Sequence, residues 1–209
     1  MQIVDLAFPI IGRDAPADHG YALYGALCRV VPDLHSVGWL GVHPLPGALV
    51  GGKTIQFGRE ASLRLRLPAE RIAVALGLAG TTLDLGGHRL VLGAPRIWPL
   101  TPAPSLDARL VVIKLTHLPV ANDAIDTKEL AKRFGAEAQR QLRKLGIERD
   151  PLLRGKRSIE VGGRRVIGYS VRVEGLQPEE SLRLQVGGIG GKRAMGCGVF
   201  RPTRGTQDR

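Results

Sequence analysis

A cluster of prolines, Pro99, Pro102 and Pro104 in the low-charge stretch PLTPAP, limits what this chain can fold into. Repeated prolines stop helices and remove the N–H donors that a sheet needs, so no regular element is expected to run through the cluster. The 209 residues therefore read as two domains, 1–105 and 106–209, each long enough to bury a core. Charge divides in the same way. Residues 1–105 hold nine Lys and Arg against seven Asp and Glu, whereas residues 106–209 hold 21 against 12. The formal net charge of +11 thus sits mostly in the second half and points to a polyanionic partner.

The same composition excludes several classes. Apolar runs are broken well before the roughly 20 residues that span a bilayer, so no membrane partner is expected. Residues 1–11 lack the basic start and cleavage site of a secretion signal. Cys28 and Cys197 are too few for a disulfide scaffold, and no CxxC or His/Cys cluster suggests a metal. The expectation is a reduced cytoplasmic protein with no metal and no cofactor.

Each half shows a similar order of elements. Residues 2–8 place Val4, Leu6 and Phe8 on one face of a strand. A helix over 17–31 follows, with Asp18 as its cap and Tyr21, Tyr24, Leu27, Cys28 and Val31 at helical spacing. Residues 39–45 and 53–57 read as short strands. Residues 62–67 read as a clean strand with Leu63, Leu65 and Leu67 inward and Arg64 and Arg66 outward. A helix over 68–78 and a hairpin over 82–92 around Gly86-Gly87 complete the half.

In the second half, 109–115 reads as a strand and 127–145 as an amphipathic helix ended by Gly146. A hairpin joins 157–161 to 164–173, a helical turn covers 178–181, and strands cover 182–186 and 197–201. Two tandem β-α-β-β-α-β units are the ferredoxin-like arrangement, an α+β fold.

The most specific local pattern is GGIGGKRAMGCGVF. Gly188 and Gly190, then Gly196 and Gly198, flank Lys192 and Arg193. Glycines let the main chain approach a ligand closely, and successive amides beside two cations suit a phosphate backbone. The loop is neither a P-loop nor a dinucleotide fingerprint. A flexible hairpin is the plainer alternative.

This loop resembles the signature of the RAMP superfamily of CRISPR-associated proteins. Taken with VDLAFPIIG, PADHGYALYGAL, PDLH, GVHPLPG, SLRLRLP and LAKRFGAEAQRQLRKLGI, the chain is similar to the repeat-processing endoribonucleases of the Cas-six family, MYXAN-type subgroup, from Val4 to Pro202. The resemblance implies metal-independent cleavage of a CRISPR repeat stem-loop by the ribose 2′-hydroxyl, leaving a 2′,3′-cyclic phosphate and a 5′-hydroxyl. It also implies retention of the product and association with other subunits of a CRISPR effector complex. A rival reading is an inactive RNA-binding subunit of such a complex. A nucleotide-binding enzyme is the more distant alternative.

Such chemistry needs an acid/base near neutral pH. Among five histidines, His35 in PDLHS matches in register the histidine that many family members place there and ranks first. His43, at a strand end, ranks second and His19, in the first turn of the helix, third. His88 reads as a solvated hairpin residue, and His117 has no evident partner. Some relatives carry a helical tyrosine at the position of Cys28. Tyr24, one turn earlier, is the substitute candidate, although Tyr21 and Tyr24 can equally pack the helix on the sheet. No Lys follows His35 closely, the nearest being Lys53.

The resemblance places RNA against the basic helix, where Arg140, Arg143 and Lys144 share a face. Arg154, Lys156, Arg157, Arg164 and Arg165 around the following hairpin are further candidates, with solvated loop charge the alternative. At 4% aromatic residues and with no RNP-type pair on a strand, base stacking is not expected to be the main source of affinity.

Overall fold

The structure is a computed structural model and describes residues 2–115 and 127–203. It divides into two compact units. The first holds residues up to Leu100 together with Ile159–Arg165 and Arg193–Gly196. The second holds Thr101–Ser158, Val166–Lys192 and the residues from Cys197 onward.

The first unit begins with β1 (Ile3–Ile11) and β2 (Asp14–Pro16), then α1 (Gly20–Val30) and a 3-10 turn at Pro32–Leu34. Strands β3 (Gly41–Val42), β4 (Ala48–Val50), β5 (Thr54–Gln56) and β6 (Ser62–Pro68) follow. After α2 (Ile72–Ala75) come β7 (Thr82–Asp84), β8 (Arg89–Leu92) and β9 (Arg96–Pro99). The main sheet runs β3-β6-β1-β8-β7, with β9 also on β1, and β2, β5 and β4 form a separate small sheet. Leu6 and Phe8 of β1, Leu63, Leu65 and Leu67 of β6 and Leu23, Ala26 and Leu27 of α1 close one core. Alternation of period two on the strands meets a 3–4 residue period on the helix, which is why the apolar faces match.

The second unit holds β10 (Ser105–Val111), α3 (Thr127–Lys144), β11 (Leu152–Val161), β12 (Arg164–Glu174), α4 (Pro178–Gly187) and β13 (Arg201–Pro202). The ends of β11 and β12 nearest their turn belong to the first unit. The sheet order is β11-β12-β10-β13. Phe134, Ala138 and Leu142, four residues apart on α3, pack with Leu106, Val171, Val173, Leu184 and Phe200. In each unit the first strand of the β-α-β-β-α-β set lies between its third and fourth: β3-β6-β1-β8 repeats as β11-β12-β10-β13. This is the ferredoxin-like order, twice.

Several elements differ from the expectations. Residues 182–186 are helical, within α4, not a strand. Gln177 and Glu180 form a reciprocal capping box, Pro178 starts the helix, and the buried set is Ser181, Leu184 and Gln185. That 3–4 spacing overrides the alternation of Leu182, Leu184 and Val186. Residues 68–78 form two 3-10 turns around the four-residue α2, and Pro68 ends β6. The strand expected at 109–115 is β10, shifted toward the prolines because Leu106 and Ala108 continue the inward alternation. The last strand is only Arg201–Pro202. Gly198, at φ +65°, gives its N–H to the Leu110 carbonyl, and a side chain there would meet the Ile189 carbonyl. Arg66 does not face solvent: it is 1% exposed. Asp18 caps no helix, since its Oδ2 accepts the Glu160 N–H at 2.8 Å.

Candidate active site

Helix α1 carries Tyr24 and Cys28 one turn apart on a partly buried face. The chain leaves it through the Pro32–Leu34 turn, where buried Leu34 anchors the exit. His35 comes next and is exposed, its ring stacked on Tyr24 with centroids 6.2 Å apart and planes 20° apart. Ser36 follows at φ +56°, a left-handed conformation that costs a non-glycine residue roughly 1–2 kcal/mol. Two hydrogen bonds hold it there. The Ser36 N–H donates to the Tyr24 hydroxyl at 2.7 Å, and Ser36 Oγ is 2.9 Å from His35 Nδ1. Burial pushes the Tyr24 hydroxyl above its usual pKa, and the Cys28 thiol with which it hydrogen-bonds is pushed up in the same way. Both therefore keep their protons at neutral pH.

The arrangement can do acid–base chemistry. A hydroxyl both donates and accepts, so Ser36 can follow Nδ1 through both protonation states and leave Nε2 as the nitrogen that exchanges a proton. No sequence signal singled out Ser36. Its role follows from the left-handed turn, which is a tertiary feature.

The remaining histidines have other company. His19 is buried; its Nδ1 is 2.9 Å from the Pro16 carbonyl and its Nε2 accepts the Leu45 N–H at 2.9 Å. It is thus a neutral ring bridging two loops. His43 is 6% exposed, and its Nε2 lies 3.3 Å from Asp5 Oδ1. His88 Nδ1 lies 2.6 Å from Asp14 Oδ1 in the small hairpin. His117 is outside the described residues.

Around His43 lies a cluster that sequence reading missed. The Arg66 guanidinium grips Asp5 with Nε at 2.8 Å from Oδ1 and Nη2 at 3.0 Å from Oδ2, and Arg64 approaches within 3.8 Å. Burial opposes the charge on Asp5, but hydrogen bonds from His43 and Arg66 hold its carboxyl well below the usual range. Burial lowers His43 to about 4, with Arg66 and Arg64 adding to the effect and Asp5 opposing it. His43 is therefore neutral at pH 7. Arg193 belongs to the same unit and lies close enough to Arg66 to feel its charge. Burial and that neighbour lower its pKa, and its Nε has no hydrogen-bond partner among the described residues.

The first unit also gathers pieces distant in sequence around the start of α1. The turn at Arg193–Met195 packs on α1 and β3. At Gly20 a side chain would collide with the Met195 carbonyl and come within 2.7 Å of Ile159 Cδ1, so only glycine allows this approach. Arg164 and Arg165 are exposed on the adjoining hairpin tip.

In the second unit, Arg140, Arg143 and Lys144 are exposed on α3. Arg140 is paired with Glu137 at 2.6 Å and Arg143 with Glu148 at 3.4 Å. Glu137 also accepts from Gln141, whose Oε1 accepts the Gly190 N–H at 2.7 Å, so α3 and the glycine loop share one network. Arg154, Lys156 and Arg157 are exposed on β11. Gly188 ends α4 at φ +62°, Gly190 lies against the Val112 carbonyl, Lys192 is half-buried at φ +62°, and Gly196 faces Pro44.

A family model described as Cas6 Crispr matches residues 4–205. A relative from Myxococcus xanthus (strain DK1622), named CRISPR-associated endonuclease Cas6, is 41% identical over 202 residues, covering 97% of this chain and 82% of that protein. Among solved structures, a Cas6-related protein from Pyrococcus furiosus superposes with a TM-score of 0.69 at 13% identity, covering 99% of this chain and all of the other. A RAMP protein described as binding different RNA substrates gives 0.67 at 14%, covering 98% of this chain and all of the other. These structures agree with the tandem ferredoxin-like fold. With the family model spanning nearly its whole length, the chain belongs to the Cas6 family of CRISPR-associated endonucleases.

Proposed function

We propose that this protein binds a CRISPR repeat stem-loop and cuts the precursor RNA without a metal ion, using His35 as the acid/base. The observation that carries the reading is the exposed His35 ring, stacked on Tyr24 and bonded to Ser36 through Nδ1. His19 and His43 are buried, and their ring nitrogens serve the protein itself. The structure of Thermus thermophilus Cse3 bound to an RNA representing a pre-cleavage complex has the same fold at 18% identity with a TM-score of 0.53, covering 96% of this chain and 98% of the other, and supports the substrate class.

In the reaction the ribose 2′-oxygen loses its proton and bonds to the adjacent phosphorus. The phosphorus–5′-oxygen bond breaks, and the leaving oxygen takes a proton. The products are a 2′,3′-cyclic phosphate and a 5′-hydroxyl. His35 Nε2 handles one of these protons. Tyr24 acts in this reading by holding His35 and Ser36, because its hydroxyl is already engaged by Ser36 and Cys28. Arg140, Arg143, Lys144, Arg154, Lys156, Arg157, Arg164 and Arg165 contact stem phosphates. In the glycine loop, half-buried Lys192 and Arg193 are the candidates for phosphate contact, whereas Gly188, which ends α4, and Gly190, Gly196 and Gly198, which pack against the chain itself, shape the loop. The product stays bound and enters an effector complex.

The test is cleavage of the cognate repeat RNA in EDTA by wild type, His35→Ala and His43→Gln, with a 2′-deoxy substitution at the cut as control. Wild type should cut the unmodified RNA, and His35→Ala should be slower by 10²-fold or more while still binding. A wild type that binds without cutting would replace this reading with that of a non-catalytic RNA-binding subunit.

A further inference from the structure

Strand β9 ends on Pro99, the first proline of the cluster, and among the described residues it pairs with β1 alone, leaving its outer edge open. Its register places Trp98 directly opposite Asp5 and Arg96 opposite Ala7, and on the other side of β1 these residues meet Arg66 and Arg64. Directly opposed residues share a face, so Arg66, Asp5 and Trp98 form one row and Arg64, Ala7 and Arg96 the next. This face is turned away from the leucine face of β6 that closes the core.

Trp98, at the β9 end of its row, is 48% exposed, a large share for an indole ring. Arg64 stands over it with its guanidinium carbon 6.0 Å from the ring centroid. Arg96 is exposed beside it. Asp5, the carboxylate of this face, is gripped by Arg66 and His43 and lies 3.8 Å from Arg64, so a single carboxylate is shared between two guanidiniums and leaves positive charge in excess. An exposed aromatic ring between Arg64, which only shares Asp5 with Arg66, and the exposed Arg96 matches a base with its phosphates. It does not match an apolar protein surface, which would have to bury those cations.

We propose that this face is a stacking platform for unpaired ribonucleotides, with Trp98 taking a base and Arg64 and Arg96 the flanking phosphates. The platform is separate from the His35 site and rests on the reading of the chain as an RNA-binding protein. It binds single-stranded RNA next to the repeat stem, through stacking that is tolerant of base identity.

The protein has two tryptophans, Trp39 and Trp98, so Trp39→Phe leaves Trp98 as the only indole reporter. Octauridylate should quench its emission, and a blunt RNA hairpin without unpaired nucleotides should not. In the otherwise wild-type chain, Trp98→Ala should weaken octauridylate binding by about 5- to 150-fold, with the melting temperature and binding of the blunt hairpin unchanged. Unchanged Trp98 emission at saturating octauridylate, or wild-type affinity of Trp98→Ala, overturns the platform even when the repeat is bound and cut normally. Emission that follows protein concentration instead of RNA also overturns it, in favour of contact between copies. A wild type that binds no RNA of either kind overturns the platform and the function together.

Discussion

His43 should make stability depend on pH by a measurable amount. Its ring is buried against Asp5, Arg66 and Arg64, and burial is the largest influence holding its pKa at about 4 against an ordinary 6.5. Between those values the unfolded chain binds a proton that the folded chain refuses, so stability rises with pH across the interval. The contribution is fully present above pH 6.5 and is lost as pH falls toward 4. Integrated from pH 7.5 to 5, a shift of this size removes about 2 kcal/mol. Asp5 leaves that window undisturbed, because a depressed carboxylate loses stability only below its unfolded pKa near 4. Both tryptophans lie in the first unit, so their fluorescence in urea reports the unfolding of the unit that holds His43. His43→Gln keeps a neutral N–H toward Asp5 but cannot titrate. Its free energy of unfolding should fall by about 2 kcal/mol less than that of wild type over this window. Parallel curves for the two proteins, or a His43 ring that titrates near 6.5 by NMR, would refute the reasoning.

Three further outcomes are expected. Arg66→Met should destabilise the first unit by about 3–5 kcal/mol in urea, because it strands the buried Asp5 carboxylate without its bidentate partner. Gly20→Ala should cost about 1–3 kcal/mol by overpacking and weaken repeat RNA binding, because the Arg193–Met195 turn must move off α1; unchanged urea midpoints and affinity would count against that contact. Ser36→Ala should slow cleavage, because His35 Nδ1 loses its hydroxyl partner, and Ser36→Thr should restore part of the rate; an unchanged rate would leave Ser36 only a structural role.

Much of the fold was legible in the sequence because it rests on local periodicity. Leu63, Leu65 and Leu67 announce β6, and Phe134, Ala138 and Leu142 announce the buried stripe of α3. The order of elements in each half was readable for the same reason. Where two periods competed, sequence reading went astray: α4 alternates like a strand but is started by Pro178 and the Gln177/Glu180 box. Short edge elements such as β2, β4 and β9 were missed because three or four residues carry too little pattern. His35 and Tyr24 were both candidates from sequence, and the structure stacks their rings.

The sequence by itself determined the periodic elements, the excess of positive charge in residues 106–209 and, through its motifs, the family. Tertiary structure alone decided what each polar side chain meets. Arg64 and Arg66 are equivalent in the alternating pattern. Register sets Arg66 beside Asp5 in a buried fork, while Arg64 reaches over Trp98 toward solvent. His43 and His35 are likewise both loop-adjacent histidines, yet burial among guanidiniums takes one proton site out of use near neutral pH and the Ser36 turn leaves the other exposed. Burial and pairing depend on residues 38 or 61 positions away, and such distances carry no signal in a local window.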